Sequence, residues 1–129
     1  MSSFTSELIV KPCVNGKDWI LKRPFTYHVK SKFSRTYISV PKGFITDFAS
    51  IPSIFFFLPK WAKFNKCPVL HDYLYQQGTI QDKDITRKQA DDIFYEAMLV
   101  EFRDKRFGKL IANLEYYTVR LVAGFAWHK

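Results

Sequence analysis

Cysteine is nearly absent from this 129-residue chain, with only Cys13 and Cys67. Two cysteines cannot supply the cross-links of a small secreted scaffold, and free thiols in a reducing cytoplasm are the expectation. The opening stretch Met1-Ser2-Ser3-Phe4-Thr5-Ser6-Glu7 has no basic start and no apolar core of secretory length. Long apolar runs are missing too, so no segment is expected to cross a bilayer. Acidic charge is scarce: 12 Asp+Glu against 20 Lys+Arg leave a net charge of +8. That balance favours an anionic partner, whether nucleic acid, membrane or acidic protein surface. The basic residues form only loose groups, at Lys22-Arg23, at Lys60, Lys63 and Lys66, and over 103–109. No nucleic-acid motif accompanies them, so nucleic acid ranks last.

What the chain does have is apolar and aromatic mass. Hydrophobic residues make up 47% and aromatic ones 18%, the composition of a folded domain rather than a disordered one. This length suits one domain, residues 1–129, with a core of its own. Thirteen phenylalanines are hard to bury in so small a body, so some should face a partner, a lipid surface or a pocket.

The pattern indicates an α+β fold, a small N-terminal antiparallel β meander followed by about three packed helices. Residues 1–50 are β-rich: Leu8-Ile9-Val10, Trp19-Ile20-Leu21, Phe25-Tyr27-Val29 and 36–40 alternate in part. Asn15-Gly16 fits a tight hairpin turn. Residues 51–67 are irregular and aromatic, interrupted by Pro52 and Pro59 and followed by Pro68. Here Phe55, Phe56, Phe57 and Trp61 are interleaved with Lys60 and Lys63. The first reading is a core-lining loop with its lysines in water. The second is a docking patch for an anionic surface or a protein partner.

Residues 68–127 read as helical. Pro68 suits a first turn and Gly78 an end, and Thr86 with Gln89 forms a capping box for the next helix. Its apolar residues Ala90, Ile93, Phe94, Ala97, Met98 and Phe102 follow the helical period. A last helix over about 106–126 carries Leu110, Leu114, Tyr117, Leu121 and Phe125 on one face.

Chemistry concentrates at His71-Asp72. Adjacent helical side chains diverge by about 100°, so the two cannot serve as each other's partner. Asp91 falls inside the apolar arc of the second helix, while Asp92 points to solvent. A buried carboxylate needs a donor; His71, Arg120 or a tyrosine hydroxyl are the candidates. A His71–Asp91 pair would fix the imidazole tautomer and leave the other nitrogen to take a proton from water. Equally, the two could be a polar lock between helices. Asp72 would then be open to a metal ion or substrate. Asp47 is a further candidate, or a loop cap bonded to nearby amides. Glu101 also sits in the apolar arc and needs a partner, whereas His28 and His128 look incidental.

Two resemblances attach to these residues. Gly43-Phe44-Ile45-Thr46-Asp47-Phe48-Ala49-Ser50-Ile51-Pro52, Leu70-His71-Asp72-Tyr73-Leu74-Tyr75, Ala90-Asp91 with Phe94, and Val119-Arg120-Leu121 with Trp127 resemble a small family of unknown function, found mostly in bacteriophages and prophages. That likeness runs from about 41 to 127 and implies a phage protein made in the host bacterial cytoplasm. More locally, His71-Asp72-x-x-Tyr75 is similar to the central helix of phospholipase A2. That likeness implies His71 as base, Asp91 as its partner and Asp72 as a ligand of calcium or another divalent metal. Asp47 and Tyr75 are further candidates, to contact substrate or the oxyanion or to support the pair. Gly43 stands alone where that family has a glycine-rich calcium loop, and its disulfides are absent. The function expected is metal-assisted hydrolysis of a phospholipid-type ester. The alternative is a non-enzymatic virion, assembly or host-binding component.

Overall fold

The computed structural model describes residues 3–4, 7–16, 18–30, 35–46, 60–63, 65–122, 124 and 127. Six short strands come first: β1 (Ser3–Phe4), β2 (Val10–Pro12), β3 (Trp19–Leu21), β4 (Phe25–His28), β5 (Tyr37–Val40) and β6 (Ile45–Thr46). All pairings among them are antiparallel. The strands form two three-stranded sheets, β1-β4-β5 and β2-β3-β6, rather than one continuous meander. The break falls at Lys22-Arg23-Pro24, where the chain bends and proline offers no ladder donor. In β4 and β5 the period of two buries Phe25, Tyr27, Ile38 and Val40. It turns Thr26 and Ser39 the other way, where their hydroxyls bond at 2.8 Å. Gly16 takes φ 78 in the 13–18 connection, and Asn15 holds that connection through its side chain, which bonds Asp18.

Helices follow. A single turn, α1 (Lys60–Lys63), precedes α2 (Lys66–Gln77); a small hairpin, β7 (Thr79–Ile80) and β8 (Lys83–Asp84), leads to α3 (Arg87–Glu101) and α4 (Gly108–Val122). Asn65 starts α2 by accepting the Cys67 amide, which leaves Pro68 in the first turn, as the sequence suggests. Gly78 ends it in the left-handed region, donating to the Leu74 carbonyl at 2.8 Å. Thr86 and Gln89 cap α3 reciprocally. The fold is thus α+β, with α3 packed between α2 and α4. Its core joins Leu21, Phe25, Tyr27 and Val40 of the sheets to Val69, Leu70 and Leu74 of α2 and to Phe94, Ala97 and Met98 of α3.

α4 presents the unexpected face. Ile111, Ala112 and Glu115 turn inward, while Leu110, Leu114, Tyr117 and Leu121 are exposed by 57%, 42%, 64% and 83%. Two opposite sides of this helix carry apolar residues, and the side with Ala112 is the one that docks. Close docking also explains Gly108. A Cβ there would stand 2.2 Å from the Phe102 carbonyl oxygen.

Candidate functional site: a histidine–aspartate pair between three helices

The same periodicity that packs α2 and α3 together brings His71 and Asp91 face to face. Both are buried, at 2% and 0% exposure. His71 Nε2 lies 2.7 Å from Asp91 Oδ1, and the Tyr75 hydroxyl donates to that oxygen at 2.6 Å. One turn separates His71 from Tyr75, so α2 offers both donors from one face. On the other carboxylate oxygen, Oδ2, the guanidinium of Arg120 in α4 donates at 2.7 Å. Three helices therefore converge on one carboxylate, which is what a buried charge requires. The imidazole is wedged between aromatic rings, 4.1 Å from Tyr75 and 4.5 Å from Phe94 by centroids.

Behind this pair stands Arg87. Its Nε donates to the Tyr75 oxygen at 3.1 Å. Its terminal nitrogen donates to the carbonyls of Val119 and Arg120, at 2.6 and 3.0 Å. These carbonyls belong to the last turn of α4, where a cation is favourable. The sequence reading passed over Arg87, although its spacing of four from Asp91 on a helix was a usable signal.

Electrostatics follow from this geometry. Burial pushes the His71 pKa down, and the Asp91 bond and charge recover only part of the shift, so the ring is neutral at pH 7. Burial would raise the Asp91 carboxyl, but the hydrogen bonds from His71, Tyr75 and Arg120 outweigh it and hold the pKa below the usual range. Burial and the Asp91 bond push the Tyr75 phenol upward, so it stays protonated. An ionised Asp91 accepts only, which places the imidazole proton on Nε2. Nδ1 keeps its lone pair, and no hydrogen bond to it is formed among the described residues.

Asp72 diverges from its neighbour, as the helix dictates. Its carboxylate is part-exposed and accepts from the Thr46 hydroxyl of β6. Tyr73 packs edge-on against Phe44, 5.3 Å between centroids, fixing the same junction of α2 with the second sheet. Thr46 was not legible as a partner, being 26 residues away in sequence. Among the described residues no group of three or more His, Cys, Asp or Glu side chains is arranged to hold a metal. Asp47, Phe55, Phe56, Phe57 and the Lys63 side chain lie outside the described residues, as do Phe125 and His128. Lys60 is exposed. Trp61 is half-buried, its ring 5.1 Å from Phe102 and covered by the Lys105 ammonium at 5.4 Å.

A second titratable group was missed. Glu115 is 9% exposed, and its Oε2 has no hydrogen-bond partner among the described residues. Burial pushes its pKa from 4.5 to about 8. Glu115 and Glu101 both add to the burial that raises the neighbouring Cys67 thiol, which is therefore protonated and unreactive. Between pH 4.5 and about 8 the unfolded chain has released the Glu115 proton and the folded one retains it. Stability should thus fall as pH rises through that window, by up to about 1.4 kcal/mol per pH unit from this group. Glu115→Gln should remove the slope. Urea midpoints of both proteins at pH 5, 6.5 and 8 would show it, and parallel curves would refute the assignment.

The family model described as "Protein of unknown function (DUF1353)" matches residues 19–119. No curated protein and no solved structure matches the chain.

Proposed function

Because the chain belongs to the DUF1353 family, whose function is unknown, we propose its activity from the site alone: hydrolysis of a carboxylic ester, of the phospholipid type, by water that His71 activates. The observation that carries this reading is the 2.7 Å bond from His71 Nε2 to Asp91. It holds a neutral imidazole in the tautomer whose Nδ1 is a base. In the reaction Nδ1 removes a proton from water, and the oxygen attacks the ester carbonyl. The resulting imidazolium is stabilised by ionised Asp91 and returns its proton to the departing alkoxide, which leaves as the alcohol. Tyr75 spends its proton on Asp91, so its part is to support the pair and not to meet the oxyanion.

Asp72 is the residue suited to a calcium ion or another divalent metal, which would lend positive charge to the oxyanion. Calcium takes six or more oxygens. Asp47, next in the chain after Thr46, is the carboxylate the sequence sets nearest to help. The excess of basic residues, +8 overall, suits an anionic lipid surface. By the sequence resemblance the protein would be a phage accessory protein made in the host cytoplasm.

One observation favours a second reading. His71 and Asp91 are almost wholly enclosed, and every donor to Asp91 comes from a different turn of the three-helix core. A polar lock would look like this, and the protein would then be a virion, assembly or host-binding component. Fatty-acid release from mixed anionic vesicles separates the two. The hydrolase reading expects turnover with calcium and little with chelator. A well-folded protein that releases none under either condition would leave only the structural reading.

A further inference from the structure

Backbone strain gathers around one cleft that the His71 site does not use. Among the described residues, three that are not glycine take the left-handed region: Lys30, Gln81 and Asp82, at φ 69, 49 and 67. A side chain makes that conformation costly, and such positions cluster at ligand clamps. The tight β7–β8 turn needs positive φ, yet carries Gln81-Asp82 rather than glycine. Lys30 and Gln81 border the same cleft, of about 700 Å³. Each is tied across the fold. Glu96 of α3 accepts the Lys30 amide at 2.8 Å, and the Gln81 side chain donates to the Arg35 carbonyl at 3.0 Å. The turn after β4, the β7–β8 hairpin and α3 thus make three braced walls.

The volume is that of a small-molecule site. Its floor is apolar: Val29 belongs to the core, and Ile80, Ile85 and Ile93 pack against it. The charged groups divide by wall. The strand side supplies Lys30 and Lys83, whose ammonium groups form no hydrogen bond, ion pair or ring contact among the described residues. The helix side supplies Asp92 and Glu96, and both are engaged. Lys88 and the Tyr116 hydroxyl donate to the two oxygens of Asp92, at 2.8 and 2.7 Å. The Tyr27 hydroxyl joins the Lys30 amide on Glu96 Oε1, at 2.6 Å.

We propose that this cleft binds a small monocarboxylate with an extended apolar body, its carboxylate between Lys30 and Lys83 and its chain along the isoleucines. The two ammonium groups are the lining charges still to be met, and a carboxylate meets them with charge-assisted hydrogen bonds. One negative charge is the limit. A phosphate dianion would set twice that charge before Asp92 and Glu96 on the facing wall. A bare anion would leave the isoleucine floor wet, whereas an apolar chain covers it. The α3 residues of the cleft, Gln89, Asp92, Ile93 and Glu96, stand about 100–200° around the helix from Asp91. The cleft therefore opens away from His71, and binding there is independent of any reaction at that residue.

Decanoate, kept below its micelle concentration, is the probe, titrated into the isotope-labelled full chain and followed by amide NMR shifts. The shifts should saturate at Lys30, Ile80, Lys83 and Ile93, with a dissociation constant in the millimolar range or tighter. Lys30→Gln with Lys83→Gln should keep the fold, since both side chains are exposed, and raise that constant about 10-fold. Hexanoate, four methylenes shorter, should bind more weakly by about 10-fold or more. Decanol binding as tightly as decanoate, or a double variant matching wild type, would take the lysines out of the site and overturn the proposal. Acetate binding as tightly as decanoate would overturn it too, by removing the apolar floor from recognition. Shifts that gather on the outward face of α4 instead, or that never saturate, would overturn the cleft as the site.

Discussion

Asp91→Ala is expected to destabilise the protein by about 3–5 kcal/mol, the range found when one partner of a buried ion pair is removed. Asp91 is 0% exposed, and two helices, α2 and α4, supply three donors to it. Without the carboxylate, Arg120 and the Tyr75 hydroxyl lose their acceptor, and the His71 N–H has none within its aromatic enclosure. Urea unfolding at pH 7 measures the loss directly. A change under about 1 kcal/mol would mean that the carboxylate is not the junction the geometry makes it. The pH dependence has a definite sign. The Asp91 pKa is depressed in the fold, so its contribution is present above the ordinary carboxylate range and lost as pH falls through the folded value. His71 acts in the same direction at higher pH. Its pKa is lowered from 6.5, so the unfolded chain gains a proton below about that pH and the folded one does not. The share of stability these two groups supply should therefore decline on acidification in two stages, read in a Glu115→Gln background where the opposite slope of Glu115 is absent, and Asp91→Ala should erase the lower one.

His71→Gln should behave in the opposite way: little change in stability, with turnover reduced by about 10²–10⁴. Glutamine retains an N–H that can reach Asp91 but has no nitrogen able to accept a proton at neutral pH. Fatty-acid release by wild type and variant, with the urea midpoint of each, distinguishes the two readings of the site. Lost turnover in a protein of near-normal stability identifies the base. Equal turnover in both proteins would remove His71 from the chemistry, whatever the activity's source.

The sequence made some of this arrangement legible and hid the rest for identifiable reasons. Helix boundaries carry local chemistry, so Thr86 with Gln89 and the glycine at position 78 announce α3 and the end of α2. The inward turn of Asp91 is legible too, because one apolar arc on one helix settles it. What escaped depends on pairing across distance. The split of the strands into two sheets is decided by which segments meet, and no local pattern encodes that. The Thr46 to Asp72 contact spans two elements of different type. α4 is apolar on both sides, and periodicity alone could not say which side would dock. The side that docks carries Ala112, whose small side chain allows close approach, as Gly108 does at the start of the helix.

The arginine contacts have a bearing on how the chain acquires its shape. His71, Tyr75 and Asp91 come together once α2 and α3 meet, but the first two supply only neutral donors. Within hydrogen-bonding distance the compensating cation is Arg120, 29 residues beyond Asp91, and Arg87 stands farther off at 4.0 Å while clasping the end of α4. A half-assembled helix pair would thus enclose a negative charge with Arg87, 4.0 Å away, as its cation and without the 2.7 Å bond from Arg120. Closure of α2 on α3 should accordingly be coupled to the docking of the last helix, which completes the centre rather than decorating it.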